Sequence, residues 1–225
     1  MLSSGTCIVA LTDGRTLAIA ADSLAVDATD HPTTPSELVC KIFTANGFVC
    51  TGAGLMQDTN TGFSVKDCFL DACSRFNDLD SIGAQLGAYA KHGMETFIFE
   101  CKTELPWFYE RLKQDSTPLI QIFLAGVDRG VPRLRLMAIR LTMTDNVEVT
   151  SIPTAEFAYI DHGHTLTKLM VTRPHLLQES GSVTEAARRL VQAACDGNPV
   201  IVGGPVDVIA IDVNGPRWIH RKPDC

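Results

Sequence analysis

Residues 6–22 read TCIVALTDGRTLAIAAD. Two runs of small and β-branched apolar residues, 6–12 and 16–22, flank Asp13-Gly14, a pair that tolerates the left-handed backbone of a tight hairpin turn. The stretch predicts an antiparallel strand pair, and the same pattern recurs along the chain. Residues 38–43 (LVCKIF) and 47–51 (GFVCT) flank Asn46-Gly47. Residues 119–127 (LIQIFLAGV) and 132–141 (PRLRLMAIRL) flank Asp128-Arg129-Gly130. In the last run Arg133 and Arg135 alternate with Leu134, Leu136 and Ala138. Met137 and Ile139 then make its far end apolar on both faces. Short strands are expected at 147–151 and 157–160. The run 206–213 (VDVIAIDV) leads through Asn214-Gly215-Pro216 to a final strand near Trp218.

Helical periodicity fills the gaps in blocks. Residues 57–76 place Phe63, Val65, Cys68, Phe69, Ala72 and Phe76 on one stripe. A second zone over 79–114 carries Leu79, Ile82, Leu86, Tyr89 and Ala90, with Gly93 and Pro106 expected to break it. Further helices are expected at 163–173, stopped by Pro174, and at 183–195, with Thr184 as the cap ahead of Glu185. Hairpins dominate, and helices do not follow each strand in turn. The pattern is α+β, not doubly wound α/β, with two antiparallel sheets between helix layers. No linker or repeat divides the chain, so residues 1–225 are read as a single domain.

Of the 225 residues, 45% are hydrophobic and 20% charged, enough apolar material for a sizeable core. The net charge of −7 argues against a nucleic-acid-binding surface. No run approaches the roughly 20 apolar residues that span a bilayer, and Met1–Gly5 lacks the basic start of a signal peptide. A cytoplasmic protein is expected. The eight cysteines are scattered without a C-x-x-C pair, so buried free thiols are expected rather than disulfides or zinc.

Several chemistries can be tested on the residues. Gly52-Ala53-Gly54 lacks the third glycine of a dinucleotide fingerprint and the Lys-Ser/Thr of a P-loop, and no G-x-S-x-G occurs. Asp161-His162-Gly163-His164 is a weak metal pattern, and a polar turn before a helix is the preferred reading; no metal or cofactor is expected. A different arrangement carries more. Gly5-Thr6 precedes the first strand, Asp22 ends the second, and Lys41 falls within the apolar run Leu38, Val39, Cys40, Ile42 and Phe43. Such a lysine either snorkels outward or is held inside by an acid, poised to activate a nucleophile.

These residues carry a resemblance. The string GTCIVALTDGRTLAIAADS (residues 5–23) resembles the start of proteasome β-type subunits, including bacterial homologues. The likeness continues through Lys41-Ile42-Phe43, CTGAG with Asp58 beyond it, the A-G-V-D hairpin at 125–128 and the G-G-x-x-D-V strand at 203–208. Together these landmarks, in order, resemble the N-terminal-nucleophile (Ntn) hydrolase superfamily. The resemblance implies a four-layer αββα sandwich, with Thr6 as nucleophile, Asp22 as orienting acid, Lys41 as the activating lysine and Gly54 as the oxyanion N–H donor. It also implies that residues 1–5 form a short propeptide, because the threonine works with its own free α-amine as base.

The chain departs from that pattern twice. His162 falls where the family's G-S-G-like serine is expected. At 198–202 the family's Asp-x-x-Ser is missing, with Asp196 the nearest acid and Pro199 in the serine's place. Two functions are therefore expected from the resemblance. One is a threonine peptidase subunit that cleaves peptide bonds inside a homo-oligomeric ring. The other is a catalytically inactive structural subunit of such a ring. The partners implied are peptide or unfolded-protein substrates and further copies of the chain. An activator or ATPase partner stays open, and neither nucleic acid nor membrane is among the expected partners.

Overall fold

Three tight turns set the strand pairing. In the computed structural model, which describes residues 6–25, 37–115, 117–154, 157–161, 165–172, 181–199 and 202–223, β1 (Cys7–Thr12) and β2 (Leu17–Ala21) pair antiparallel with Thr12 opposite Leu17. The Asp13 carboxylate accepts from the N–H groups of Arg15 and Thr16 at 2.9 and 2.8 Å, and Gly14 takes φ +86°. Asn46 and Gly47, at φ 49° and 84°, turn β5 (Ile42–Ala45) into β6 (Phe48–Gly54). Arg129 and Gly130, at 50° and 77°, do the same between β9 (Ile120–Asp128) and β10 (Val131–Leu141). In these last two turns positive φ at both central residues matches the strands' own twist, which explains the sharp two-residue hairpins.

The remaining strands of the large sheets are β11 (Val147–Pro153), β12 (Phe157–Asp161), β13 (Asp207–Asp212) and β14 (Gly215–His220). Two two-stranded pairs accompany them: β3 (Leu24–Ala25) with β4 (Glu37–Leu38), and β7 (Gln57–Asp58) with β8 (Phe63–Ser64). The first large sheet has the order β12-β1-β2-β13-β14 and the second β11-β10-β9-β6-β5, with antiparallel pairing throughout. The first sheet thus joins the two ends of the described chain, while the second is built from its middle.

Alternating side chains sort the core into three clusters. Ile8, Ala10, Ile19 and Ala21 of the first sheet meet Val49, Ala53, Phe123 and Ala125 of the second. The opposite face of the first sheet, with Cys7, Val9, Ala18 and Ala20, packs on α4 (Thr165–Thr172) and α5 (Val183–Gly197) through Leu166, Ala187, Leu190 and Ala194. The outer face of the second, with Cys50, Ile122 and Met137, packs on α1 (Val65–Arg75), α2 (Leu79–Glu104) and α3 (Pro106–Gln114). The layers therefore run helix, sheet, sheet, helix, and the α+β class with two antiparallel sheets is as expected. No helix among the described residues is long and apolar enough to cross a membrane.

Several local expectations are corrected. The first helix starts at Val65, not 57. The Asp58 carboxylate gathers the N–H groups of Asn60 and Thr61 and the Thr61 hydroxyl into a turn, and Ser64 then caps the helix. Gly93 does not break α2. The Phe63 ring lies where its Cβ would be, 2.2 Å from Cδ2, so the glycine admits a neighbour rather than ending the helix. Pro106 does end it, as the first residue of α3. The cap of α5 is Ser182, not Thr184. Leu38 belongs to β4, and β5 begins only at Ile42, so Lys41 stands just before a strand rather than inside one. Among the described residues six cysteines are free, as expected, but Cys40 is disulfide-bonded.

Candidate functional site

Antiparallel pairing of β1 with β2 sets Ile8 opposite Ala21, which brings the residue before β1 alongside the residue after β2. Those residues are Thr6, 3% exposed, and Asp22, fully buried. The Cys7 N–H donates to Asp22 Oδ1 at 2.9 Å, and the Asp22 N–H donates to the Cys7 carbonyl at 3.2 Å. Lys41, 8% exposed, reaches across from the start of β5 in the other sheet. Its Nζ donates to Thr6 Oγ1 at 3.0 Å and to Asp22 Oδ1 at 2.8 Å. Three residues 35 positions apart at most in sequence thus converge on one buried ammonium, the inward alternative for this lysine.

The carboxylate is fully engaged. Besides Lys41 and Cys7, Asp22 accepts through Oδ2 from the N–H groups of Leu24 at 3.2 Å and Gly203 at 3.3 Å. The Gly203 carbonyl in turn accepts from the N–H groups of Ser23 and Leu24, both at 3.0 Å. The Ser23 hydroxyl donates to the Pro205 carbonyl at 2.5 Å. A carboxylate that accepts this many donors is fixed in orientation.

Burial pulls the Lys41 amine below the ordinary lysine value, and Asp22 opposes that fall. The thiols nearby are pushed the other way. Burial, then the charges of Asp161 and Asp22, raise Cys7, and burial followed by Asp22 raises Cys195 to about 12. Both therefore stay protonated and poorly nucleophilic near neutral pH. Cys7 also packs toward α5, on the opposite face of the first sheet from the core between the sheets. The hydroxyl of Thr6 is the group the ammonium addresses.

Gly54 ends β6 at φ +96°, paired with Ile120. A Cβ there would come within 2.1 Å of the Leu119 carbonyl oxygen, which accepts from the Leu55 N–H at 2.9 Å. Glycine is required by both the backbone angle and this close approach. Thr6, Asp22 and Lys41 are joined by hydrogen bonds, whereas the approach that defines Gly54 is to β9.

The expected departures separate. Asp161 ends β12 opposite Cys7 and accepts from the Thr167 N–H at 3.0 Å, holding the start of α4, while the expected turn between them lies outside the described residues. His162 and His164 lie outside the described residues, as does residue 5. Asp196 does not join the site: it is exposed on α5 and accepts from Gln192 Nε2 at 2.9 Å. Helical geometry turns Ala194 and Cys195 toward the sheet and the next residue outward. Gly203 is the participant that sequence reasoning gave no role, although the Gly203-Gly204 pair before β13 was its visible signal.

A groove of about 350 Å³ between α2 and the second sheet is lined by Asp80, Gly83, Gly87, Arg135, Met137 and Val149, and none of Thr6, Asp22 or Lys41 lines it. Among the described residues no group of three His, Cys, Asp or Glu side chains is arranged to hold a metal ion. No protein-family model matches the chain, and no curated protein matches it.

Proposed function

We propose that the chain is an Ntn hydrolase of the proteasome-like kind that uses Thr6 to cleave peptide bonds. The observation that carries the reading is the Lys41 ammonium shared between Thr6 Oγ1 and Asp22 inside a buried site. A hydroxyl alone is a weak nucleophile, and an adjacent fixed cation stabilises it as its proton leaves. Once the Gly5–Thr6 bond is cut, the new α-amine, with an ordinary pKa of about 7.7–8.0, takes that proton. The oxygen then attacks the scissile carbonyl. The Gly54 N–H serves as donor to the developing oxyanion, where glycine lets the backbone approach closely. The proton passes to the leaving amine, leaving an ester on Thr6 that water hydrolyses to restore the hydroxyl. Assembly into a homo-oligomeric ring rests on the resemblance of residues 5–23, 41–43, 50–54 and 203–208.

The test is hydrolysis of a fluorogenic peptide by protein purified from its own cells, with intact mass measured alongside. Loss of residues 1–5 and a fall in rate of about a thousandfold or more in Thr6→Ala are expected. Activity that survives Thr6→Ala refutes the assignment. The structural-subunit reading has one observation in its favour, the outward Asp196. It predicts a full-length chain in the assembled particle and no hydrolysis.

A further inference from the structure

A second lysine fixes the segment from which Lys41 extends. Residues 39–41 run between β4 and β5, outside either strand. The Val39 N–H donates to the Ser23 carbonyl at 2.8 Å, and the Val39 carbonyl accepts from Nζ of Lys222. Lys222 follows β14. Its own N–H donates to Asp207 Oδ1 at 2.8 Å, and its Nζ lies 3.7 Å from Asp207 Oδ2. Both side chains are buried, at 8% and 3% exposure. Asp207 opens β13, which pairs with β2 next to Asp22, with Asp207 opposite Ala21.

We infer that Lys222, oriented by Asp207, is a positioning residue for Lys41. It ties the Val39 carbonyl to the first sheet, so that the Lys41 amine meets Thr6 and Asp22 together. A buried ion pair contributes little net stability over apolar residues of the same size, and its best-attested use is to fix one arrangement. Here the arrangement that needs fixing is inter-sheet: Lys41 stands before the edge strand β5 of one sheet, and its two partners stand at the ends of the inner strands β1 and β2 of the other. Ser23 holds Val39 by its N–H, Lys222 holds it by its carbonyl, and the Cys40 disulfide constrains the next residue. A single residue, Cys40, separates Val39 from Lys41, so a small rotation at the carbonyl is passed directly to the amine, and an ångström of misplacement at a reacting group is costly.

The inference rests on the reading of Lys41 as the working amine, and its test reads Lys41 itself. Lysine reactivity toward acetic anhydride is followed by mass spectrometry across a pH series, without reductant so that the Cys40 bond stays intact. In the wild type, Lys41 is acetylated far more slowly than the exposed Lys91. In Lys222→Gln the Lys41 rate rises by about tenfold, the effect of losing one charged hydrogen bond, while Lys91 is unchanged. Lys222→Arg, which keeps a cationic donor for the Val39 carbonyl, returns the Lys41 rate toward the wild-type value. Because Lys222→Gln leaves Asp207 buried without its counter-ion, the paired variant Asp207→Asn with Lys222→Gln is measured too. Asparagine still accepts from the residue 222 N–H, and the same rise at Lys41 is expected. An unchanged Lys41 rate in a folded variant overturns the inference. Peptide hydrolysis is measured beside it, with kcat expected to fall about tenfold and KM to hold. A wild-type protein without hydrolase activity refutes the functional reading and leaves the acetylation result to decide the role of Lys222.

Discussion

Replacing Asp22 by asparagine removes one charge and almost no volume, and its cost follows from the bonds at each oxygen. Oδ1 accepts from Lys41 Nζ and the Cys7 N–H, and Oδ2 accepts from the Leu24 and Gly203 N–H groups. An amide has one accepting oxygen, so either orientation turns its NH₂ toward two donors. The Lys41 ammonium, 8% exposed, also loses its counter-ion. Breaking a buried pair by removing one partner costs about 3–5 kcal/mol, a large part of the roughly 5–15 kcal/mol that keeps a domain folded. The cost should depend on pH in a defined sense. Burial already lowers Lys41, and the Asp22 charge is what resists. Without it the amine releases its proton at lower pH in the folded protein than in the unfolded chain. The unfolded state then binds more protons, and stability rises with pH up to the ordinary lysine value of about 10.4. Urea denaturation of Asp22→Asn at a series of pH values should therefore show the deficit shrinking as pH increases. Lys41→Met combined with Asp22→Asn should cost clearly less than the sum of the single changes. A single-variant cost below about 1 kcal/mol, the scale of an ordinary hydrogen bond, would refute the reasoning, as would additive costs.

Other sites give sharper local tests. Gly93→Ala places a methyl 2.2 Å from Phe63 Cδ2, and despite alanine's better helix propensity it should destabilise by about 1–3 kcal/mol. Thermal denaturation should show the loss, with recovery when Phe63→Leu is added. Arg188, then Arg189, hold the Glu185 carboxyl down to about 2. Its contribution is present above the ordinary glutamate value of about 4.3 and is lost as pH falls toward 2. Glu185→Gln should lower stability slightly at neutral pH, by less than about 1 kcal/mol for a pair this open to solvent, seen as a small drop in Tm. The difference should vanish in acid. Among the six free cysteines described, Cys68 is the only one not buried, so it should be alkylated first in the native protein; earlier modification of Cys50 or Cys195 would contradict the packing.

The hairpins were legible because their turns are written in adjacent residues: Gly14, Asn46 and Gly47 adopt the left-handed angles their chemistry favours, and the Asp13 carboxylate accepts from the turn's own N–H groups. The pairing of Thr6 with Asp22 follows once the first hairpin is accepted. Features decided by distant neighbours were not legible. Gly93 is admitted into α2 by Phe63, and periodicity over 57–64 is overruled by the acceptor geometry of Asp58. Whether Lys41 points inward or outward depends on two residues from the other sheet. The outward position of Asp196 depends on the phase of α5, and the role of Gly203 on a contact 181 residues long in sequence. Cys40 looked like any other apolar thiol, and nothing local marks it for a disulfide.

The two sheets differ in when they can exist. The second draws its strands from Ile42 to Pro153, so a growing chain holds all of them once its middle has emerged. The first must wait, because β2 lies between β1 and β13, and β13 begins at Asp207. Long-range pairings of this kind form late, after loop closure has been overcome. Asp22 receives its Gly203 bond, and Lys222 reaches Val39, only after that closure. A nascent chain therefore carries Thr6 well before the residues that complete the surroundings of its hydroxyl, which wait for Gly203 and Lys222. The buried site around Thr6 is thus among the last parts of the fold to be completed.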